Sequence, residues 1–168
     1  RSYEETDKAA KLGTLIHDAI DAAFDGVEPA EDLKRYVEPT MEYLRTLNLQ
    51  NIKREGTVVN LEEGYAGRVD LLARYGNSNI IIDFKTKKTK EGVKITPFDF
   101  QATQIAAYAM AAFGTLDHCV GANVYISTTE VGRIETAVYD EDKLKKEYQL
   151  LQHLTGVWRH LKNYDPRG

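Results

Sequence analysis

The residues of this chain best placed to do chemistry are an acid and an amine two positions apart at the end of an apolar run. In Asn79-Ile80-Ile81-Ile82-Asp83-Phe84-Lys85-Thr86 three β-branched residues lead into Asp83, a spacer, and Lys85. Read as a strand, alternation sets Ile81, Asp83 and Lys85 on one face and Ile80, Ile82 and Phe84 on the other. A carboxylate and an ammonium then leave the same edge of a buried strand. A second Asp stands among apolar residues in Gly67-Arg68-Val69-Asp70-Leu71-Leu72-Ala73. Two carboxylates that converge at strand ends beside a Lys can hold a divalent cation and manage a water. The plainer readings are a solvated pair at a strand rim and a structural ion-pair cluster of Asp70, Asp83 and Lys85, neither of which needs a cation.

Further groups fall in line with these. Gly13-Thr14-Leu15-Ile16-His17 puts Gly13 and His17 one helical turn apart on one face. A helix-interior Gly costs roughly 1 kcal/mol against Ala, so close approach of another backbone is the expected reason for Gly13. His17 beside it is a candidate metal ligand, set against the commoner surface or packed histidine. Gln104 and Tyr108, four apart, share a helix face and offer two hydrogen-bonding groups to a groove. Lys87, Lys88, Lys90 and Lys94 follow the Asp83/Lys85 strand, opposed only by Glu91. Such a run is ordinarily a solvated loop, but here it stands where a phosphate backbone would lie. Arg54 and Arg68 could extend it. Glu55, on an earlier strand, is a further candidate whose facing the sequence leaves open.

The elements that must position these groups are legible from periodicity. Leu12, Leu15, Ile16, Ala19, Ile20, Ala23 and Phe24 predict an amphipathic helix over about 7–25, with Ser2 to Asp7 frayed and Thr6 as its cap. A second helix is expected from Ala30 to Leu47, kinked or broken near Glu38 by Pro39. Ile52–Leu61 and Tyr65–Tyr75 then read as a hairpin, and the turn Gly76–Asn79 leads to the strand Ile80–Lys85, completing a three-strand meander. Phe98–Ala112 reads as a helix ended by Gly114. Two more strands follow at Cys119–Ser127 and Gly132–Tyr139. Asp140 caps a last helix to about Asn163, with Trp158 as a core anchor. These elements make one α/β domain over residues 1–168, a mixed sheet of about five strands flanked by helices.

Composition bounds the function. The chain has 168 residues, 42% apolar and 29% charged, as in an ordinary globular domain. No apolar run approaches the ~20 residues of a membrane span, so no membrane partner is expected. The chain opens on Arg1 without a Met, which reads as a fragment or trimmed form of a longer protein. The net charge of −4 argues against a simple nucleic-acid coat protein. The charge is uneven, however: residues 1–50 carry eleven Asp and Glu against six Lys and Arg. Cys119 is the only cysteine. It can form no internal disulfide and cannot alone hold zinc or an iron–sulfur cluster. It reads as a buried thiol in a reducing compartment.

A helical G-x-x-x-H, an Asp after Gly-x-x on a strand, an Asp-x-Lys ending the next strand, a basic loop and a helical Gln-x-x-x-Tyr occur here in one order. In that order the chain resembles the PD-(D/E)XK nuclease superfamily, in particular its RecB-type and phage-exonuclease branch with a helical His and a Q-x-x-x-Y motif. The resemblance implies a restriction-endonuclease-like core. It implies His17, Asp70, Asp83 and the Phe84 carbonyl as metal ligands, and Asp70, Asp83 and Lys85 as the catalytic set. Val69 stands where the motif's proline would be. It implies Gln104, Tyr108, Lys87, Lys88, Lys90 and Arg68 as DNA contacts, with Glu55 and Gly13 as a second tier. The expected cofactor is Mg²⁺ or Mn²⁺, the imidazole tilting preference toward Mn²⁺, with no iron–sulfur cluster. The implied activity is metal-dependent hydrolysis of DNA, by an exonuclease on ends or single strands in recombination, repair or phage DNA processing. A recombination or replication protein is the expected partner. The expected location is the cytoplasm of a bacterial or phage-infected cell, with an organelle as the variant. The rival readings are an endonuclease of the same fold and a catalytically silent nucleic-acid-binding module.

Overall fold

The computed structural model describes residues 2–168, with side chains from Glu5 onward. The element order is α1 (Ser2–Phe24), α2 (Glu31–Thr46), β1 (Gln50–Asn60), β2 (Tyr65–Tyr75), β3 (Ser78–Lys87), α3 (Gln101–Phe113), β4 (Cys119–Ser127), β5 (Ile134–Tyr139) and α4 (Glu141–Lys162). The five strands form one sheet in the order β1-β2-β3-β4-β5. β1 pairs antiparallel with β2, and β2 with β3. The β3–β4 connection contains α3, as a parallel neighbour requires. Backbone bonds from Asn79 to His118 and from Thr128 to Lys87 advance in the same direction along both strands. The sheet is therefore mixed, as the pattern of elements implied. Among the described residues no helix is long and apolar enough to cross a membrane.

The chain divides into two compact units. One comprises the chain up to Asn48, Phe84–Ile95 and Val124–Thr136; the other comprises Leu49–Asp83, Thr96–Asn123 and Ala137–Gly168. In the first, α1 and α2 contact each other. Ile16, Ile20, Val37 and Leu44 are buried there at helical spacing. In the second, α3 and α4 pack together. Ile81, Ile105, Ala106, Ala109, Leu116, Cys119, Tyr139, Leu144 and Tyr148 form its core. Gly121 lets β4 into that core. A Cβ there would lie 2.2 Å from Ile105 Cγ2, so no larger residue fits without displacing α3.

Several boundaries differ from expectation, each for a local reason. α1 is helical from Ser2, so the polar start is not frayed to Asp7. α2 continues through Pro39, so of the kink or break expected there the break does not occur. The final turn of α2 still closes on its own carbonyls, with Leu47 N–H donating to Leu44 O. α3 begins at Gln101 instead of Phe98, because Phe100 has φ 66°, a left-handed conformation that no helix interior tolerates. β3 is longer than Ile80–Lys85, since Tyr75 pairs with Ser78 across a tight Gly76-Asn77 turn. β5 starts at Ile134 because Gly132, at φ 75°, still belongs to the turn. Asp140 caps α4 as expected, its side chain accepting from Lys143 N–H. Trp158 is not a core anchor: it is 45% exposed and stands edge-on to Tyr164. Of the apolar residues of α4, Leu144 and Tyr148 are buried. The second half of the helix meets the β1–β2 turn through polar groups, with Gln152 and Arg159 donating to Glu63, and leaves Leu154, Val157 and Leu161 exposed.

Candidate functional site

Strand pairing in the second unit aligns three acidic residues. β1 and β2 pair as Arg54↔Leu71 and Gly56↔Val69, which brackets Glu55 opposite Asp70. β2 and β3 pair as Leu71↔Ile82, and that register continued by one residue sets Asp70 opposite Asp83. Directly opposed antiparallel residues point to the same face with Cβ atoms roughly 5 Å apart. Asp70 and Asp83 are therefore cross-strand neighbours, as the sequence pattern suggested. Glu55 has φ 49°, and its carboxylate forms an ion pair with Arg68. The second-tier candidate and the candidate DNA contact thus engage each other, with the Arg68 side chain still largely exposed.

Asp83 is not a solvated rim residue. It is 5% exposed, at the end of a run buried on both faces from Ile80 to Phe84. A buried carboxylate requires donors. Asn123, fully buried on β4, donates from Nδ2 to Asp83 Oδ2 at 2.9 Å. Tyr139 at the end of β5 in turn donates its hydroxyl to Asn123 Oδ1 at 2.8 Å. This Tyr139–Asn123–Asp83 chain fixes the orientation of one carboxylate oxygen. Sequence reading gave Asn123 and Tyr139 no role beyond membership of their strands. The signal was there, since an Asn in the middle of Gly121-Ala122-Asn123-Val124-Tyr125 must find partners.

The Gln104/Tyr108 pair is formed as its spacing implied. Gln104 Nε2 donates to the Tyr108 hydroxyl at 2.9 Å. The ring of Tyr108 lies over Gly67, where a Cβ would stand 2.1 Å from Tyr108 Cε1. The glycine three residues before Asp70 and the tyrosine of α3 are thus two halves of one contact. Any side chain at position 67 would push α3's tyrosine off β2.

In the first unit, α1 meets β3 through Gly13 and His17. A Cβ on Gly13 would lie 3.1 Å from Thr86 Oγ1, so its close neighbour is a side chain. His17 stands edge-on to Phe84, with ring centroids 6.1 Å apart. Lys85 is half-buried, next along β3. Lys87 lies over the Tyr125 ring at 5.8 Å.

The basic segment after β3 is held in place. Thr128 N–H donates to Lys87 O, and Thr89 N–H to Thr129 Oγ1, each at 2.9 Å. Arg133 donates to the Lys90 and Val93 carbonyls and pairs with Glu130 and Glu135. Glu135 Oε2 accepts from Ile95 N–H at 3.0 Å. Hydrogen bonding by Thr89, with Arg133 adding to it, holds the Glu130 carboxyl below its ordinary range. Arg133 and the Ile95 amide do the same for Glu135. Burial pushes the Cys119 thiol up, away from nucleophilic character, as expected of a packed cysteine.

Among the described residues no three His, Cys, Asp or Glu side chains are grouped as a ready metal cage. The donors of Asp70 and Asp83 nevertheless suit a hard divalent cation. The amide that orients Asp83 is the kind of outer partner that ligating carboxylates carry.

The family model of the PD-(D/E)XK nuclease superfamily matches residues 1–167. A solved structure titled "Crystal structure of SSO0001" is similar at 20% identity and a TM-score of 0.42. The match covers 83% of this chain and 57% of that one, so this chain spans little more than half its length. No curated protein matches.

Proposed function

We propose, from the premise that this chain belongs to the PD-(D/E)XK nuclease superfamily, that it is a divalent-metal-dependent deoxyribonuclease of the RecB-type branch. Exonucleolytic digestion of ends or single strands is the favoured mode. The observation that carries the reading is the strand register that opposes Asp70 to Asp83, with Lys85 two residues further along β3. In this reading Asp70, Asp83, His17 and the Phe84 carbonyl would hold Mg²⁺ or Mn²⁺. When bound, the ion would supply Lewis-acid polarisation of a phosphate oxygen and a more acidic water. The Lys85 ammonium orients that water and opposes the charge that builds on the non-bridging oxygens. Asn123 keeps Asp83 turned for ligation. Gln104 and Tyr108 meet the strand, and Lys87, Lys88, Lys90 and Arg68 bind successive phosphates. Binding then weakens as salt rises.

The test is digestion of end-labelled linear single- and double-stranded DNA beside a closed single-stranded circle. Each is incubated with Mg²⁺, Mn²⁺ or EDTA, using the wild type and Lys85→Ala. The expected result is metal-dependent loss of linear strands alone, reduced at least 10²-fold in the variant, on the scale of losing one charge-stabilising group. Cutting of the circle would move the assignment to an endonuclease of the same fold. Absence of cleavage by folded protein with either metal would sink the nuclease reading and leave a nucleic-acid-binding module.

A further inference from the structure

A cavity of about 340 Å³ opens in the first unit where α1 passes the end of β3. It is lined by Glu5, Lys8, Ala9 and Leu12 of α1, by Thr86, Lys87 and Lys88, and by Thr128 and Thr129 after β4. The lining has two sorts of surface. Ala9 and Leu12 give an apolar wall one helical turn long. Three lysines and the hydroxyls of Thr86 and Thr128 give cationic and donor groups, opposed by the single carboxylate of Glu5, while the Thr129 hydroxyl donates to the Thr89 carbonyl. An apolar wall faced by ammonium and hydroxyl donors is complementary to one class of ligand, an anion carried on a flat or weakly polar body. The β-edge half of the wall is also stiff. Thr128 is bonded to Lys87 through the backbone, and Thr129 is bonded in both directions to Thr89.

Position along the chain narrows the ligand. Lys87 is two residues beyond Lys85 on β3, about 6.6 Å at strand rise. That is of the order of one nucleotide step in an extended strand. We propose that this cavity is a nucleotide subsite, holding the sugar and base of the nucleotide next to the scissile phosphate against Ala9 and Leu12. Its phosphate meets Lys8, Lys88 and the hydroxyls of Thr86 and Thr128. The proposal rests on the nuclease reading and adds to it the path of the substrate strand. The strand runs from Lys85 past the end of β3 and under α1, so substrate length beyond the cleaved bond governs affinity. A duplex cannot enter a cavity of this size, so the subsite selects single-stranded substrate.

The test uses two α1 variants outside the catalytic set. Ala9→Trp fills the apolar wall from an exposed helix position, and Lys8→Ala removes one cation. Each is compared with wild type for binding of fluorescent oligothymidylates in Ca²⁺ and for their cleavage in Mn²⁺, with circular dichroism to show that the fold is retained. Ala9→Trp is expected to weaken binding of a ten-nucleotide strand about tenfold or more, on the scale of one lost base contact. Cleavage of the same strand in Mn²⁺ is expected to fall in parallel with binding. Lys8→Ala is expected to lower the slope of log K against log salt by about 0.7, the value of one single-strand phosphate. Wild-type cleavage with strand binding and its salt slope unaltered in both variants would overturn the subsite while leaving the nuclease reading intact. Absence of wild-type cleavage would remove the nuclease reading. Oligonucleotide binding still sensitive to both variants would in that case retain the cavity as a binding site.

Discussion

The buried amide between Tyr139 and Asp83 offers the sharpest test of the arrangement around β3. Asn123→Ala removes a 2.9 Å bond to a carboxylate and a 2.8 Å bond from a hydroxyl, both fully inside the protein. A bond to a charged group is worth about 1.5–3 kcal/mol and a neutral one about 0.5–1.5. The expected loss is therefore about 2–4.5 kcal/mol, which for a chain of this size lowers the melting temperature by roughly 10 °C. Tyr139→Phe, which removes only the outer bond, should cost about 1 kcal/mol. Asn123→Asp is more telling, because it faces Asp83 with a second carboxylate. One of the two must then keep its proton, so the folded-state pKa of the pair rises above its unfolded value. Stability of that variant should accordingly fall as pH rises through the carboxylate range, and the deficit should be small near pH 4 and full at pH 8. Urea denaturation at the two pH values reads this directly. Titration with Mn²⁺ should show affinity reduced about 10–100-fold in Asn123→Ala, the usual effect of losing an outer partner. If Asn123→Ala and Asn123→Asp were equally stable at both pH values, with Mn²⁺ affinity unaltered, Asn123 would be a packing residue and its link to Asp83 would carry no functional weight.

Other expectations follow from contacts on β2, α1 and the basic segment. Gly67→Ala should cost about 1–3 kcal/mol through overpacking against the Tyr108 ring. Most of that cost should vanish in a Tyr108→Ala background, and additive effects in the double-mutant cycle would show that the two residues do not touch. Gly13→Ala gains roughly 1 kcal/mol of helix propensity, against a 3.1 Å contact that a rotation of Thr86 relieves. Its melting temperature should therefore be unchanged or slightly raised, and a clear loss would mean that Thr86 is locked. Glu135 has a pKa held below its ordinary 4.5, so its contribution to stability is present above that value and fades as pH falls through the folded pKa. Hydrogen-exchange protection of the Ile95 amide, bonded to Glu135, should fall below about pH 4.5. Protection of the Thr89 amide, bonded to a threonine hydroxyl, should be the less pH-sensitive of the two. Equal loss at both amides would indicate that the whole segment opens together.

What could be read from the sequence was whatever repeats with the period of an element. The boundaries of β2 and β4 and the Asp140 cap followed from alternation and from one side chain's chemistry. The opposition of Asp70 and Asp83 also followed, because a two-residue turn at Gly76-Asn77 leaves the β2–β3 register little freedom. What escaped was set by single residues whose role exists only after strands from distant parts of the chain are side by side. Asn123 lies forty residues from Asp83, and nothing local marks it as that residue's partner. Arg133 looks like a polar turn residue until the segment at Lys90 and Val93 is laid against it. Gly67 carries the opposite lesson. Its absence of a side chain was visible, but the reason for it, the Tyr108 ring, sits on a helix more than thirty residues away. Type and spacing therefore nominate candidates for chemistry. They do not nominate the residues that hold those candidates in place, because positioning is a property of tertiary neighbours. A chain that kept Asp83 and Lys85 but replaced Asn123 by an apolar residue would look the same to a motif and be expected to hold its carboxylate differently.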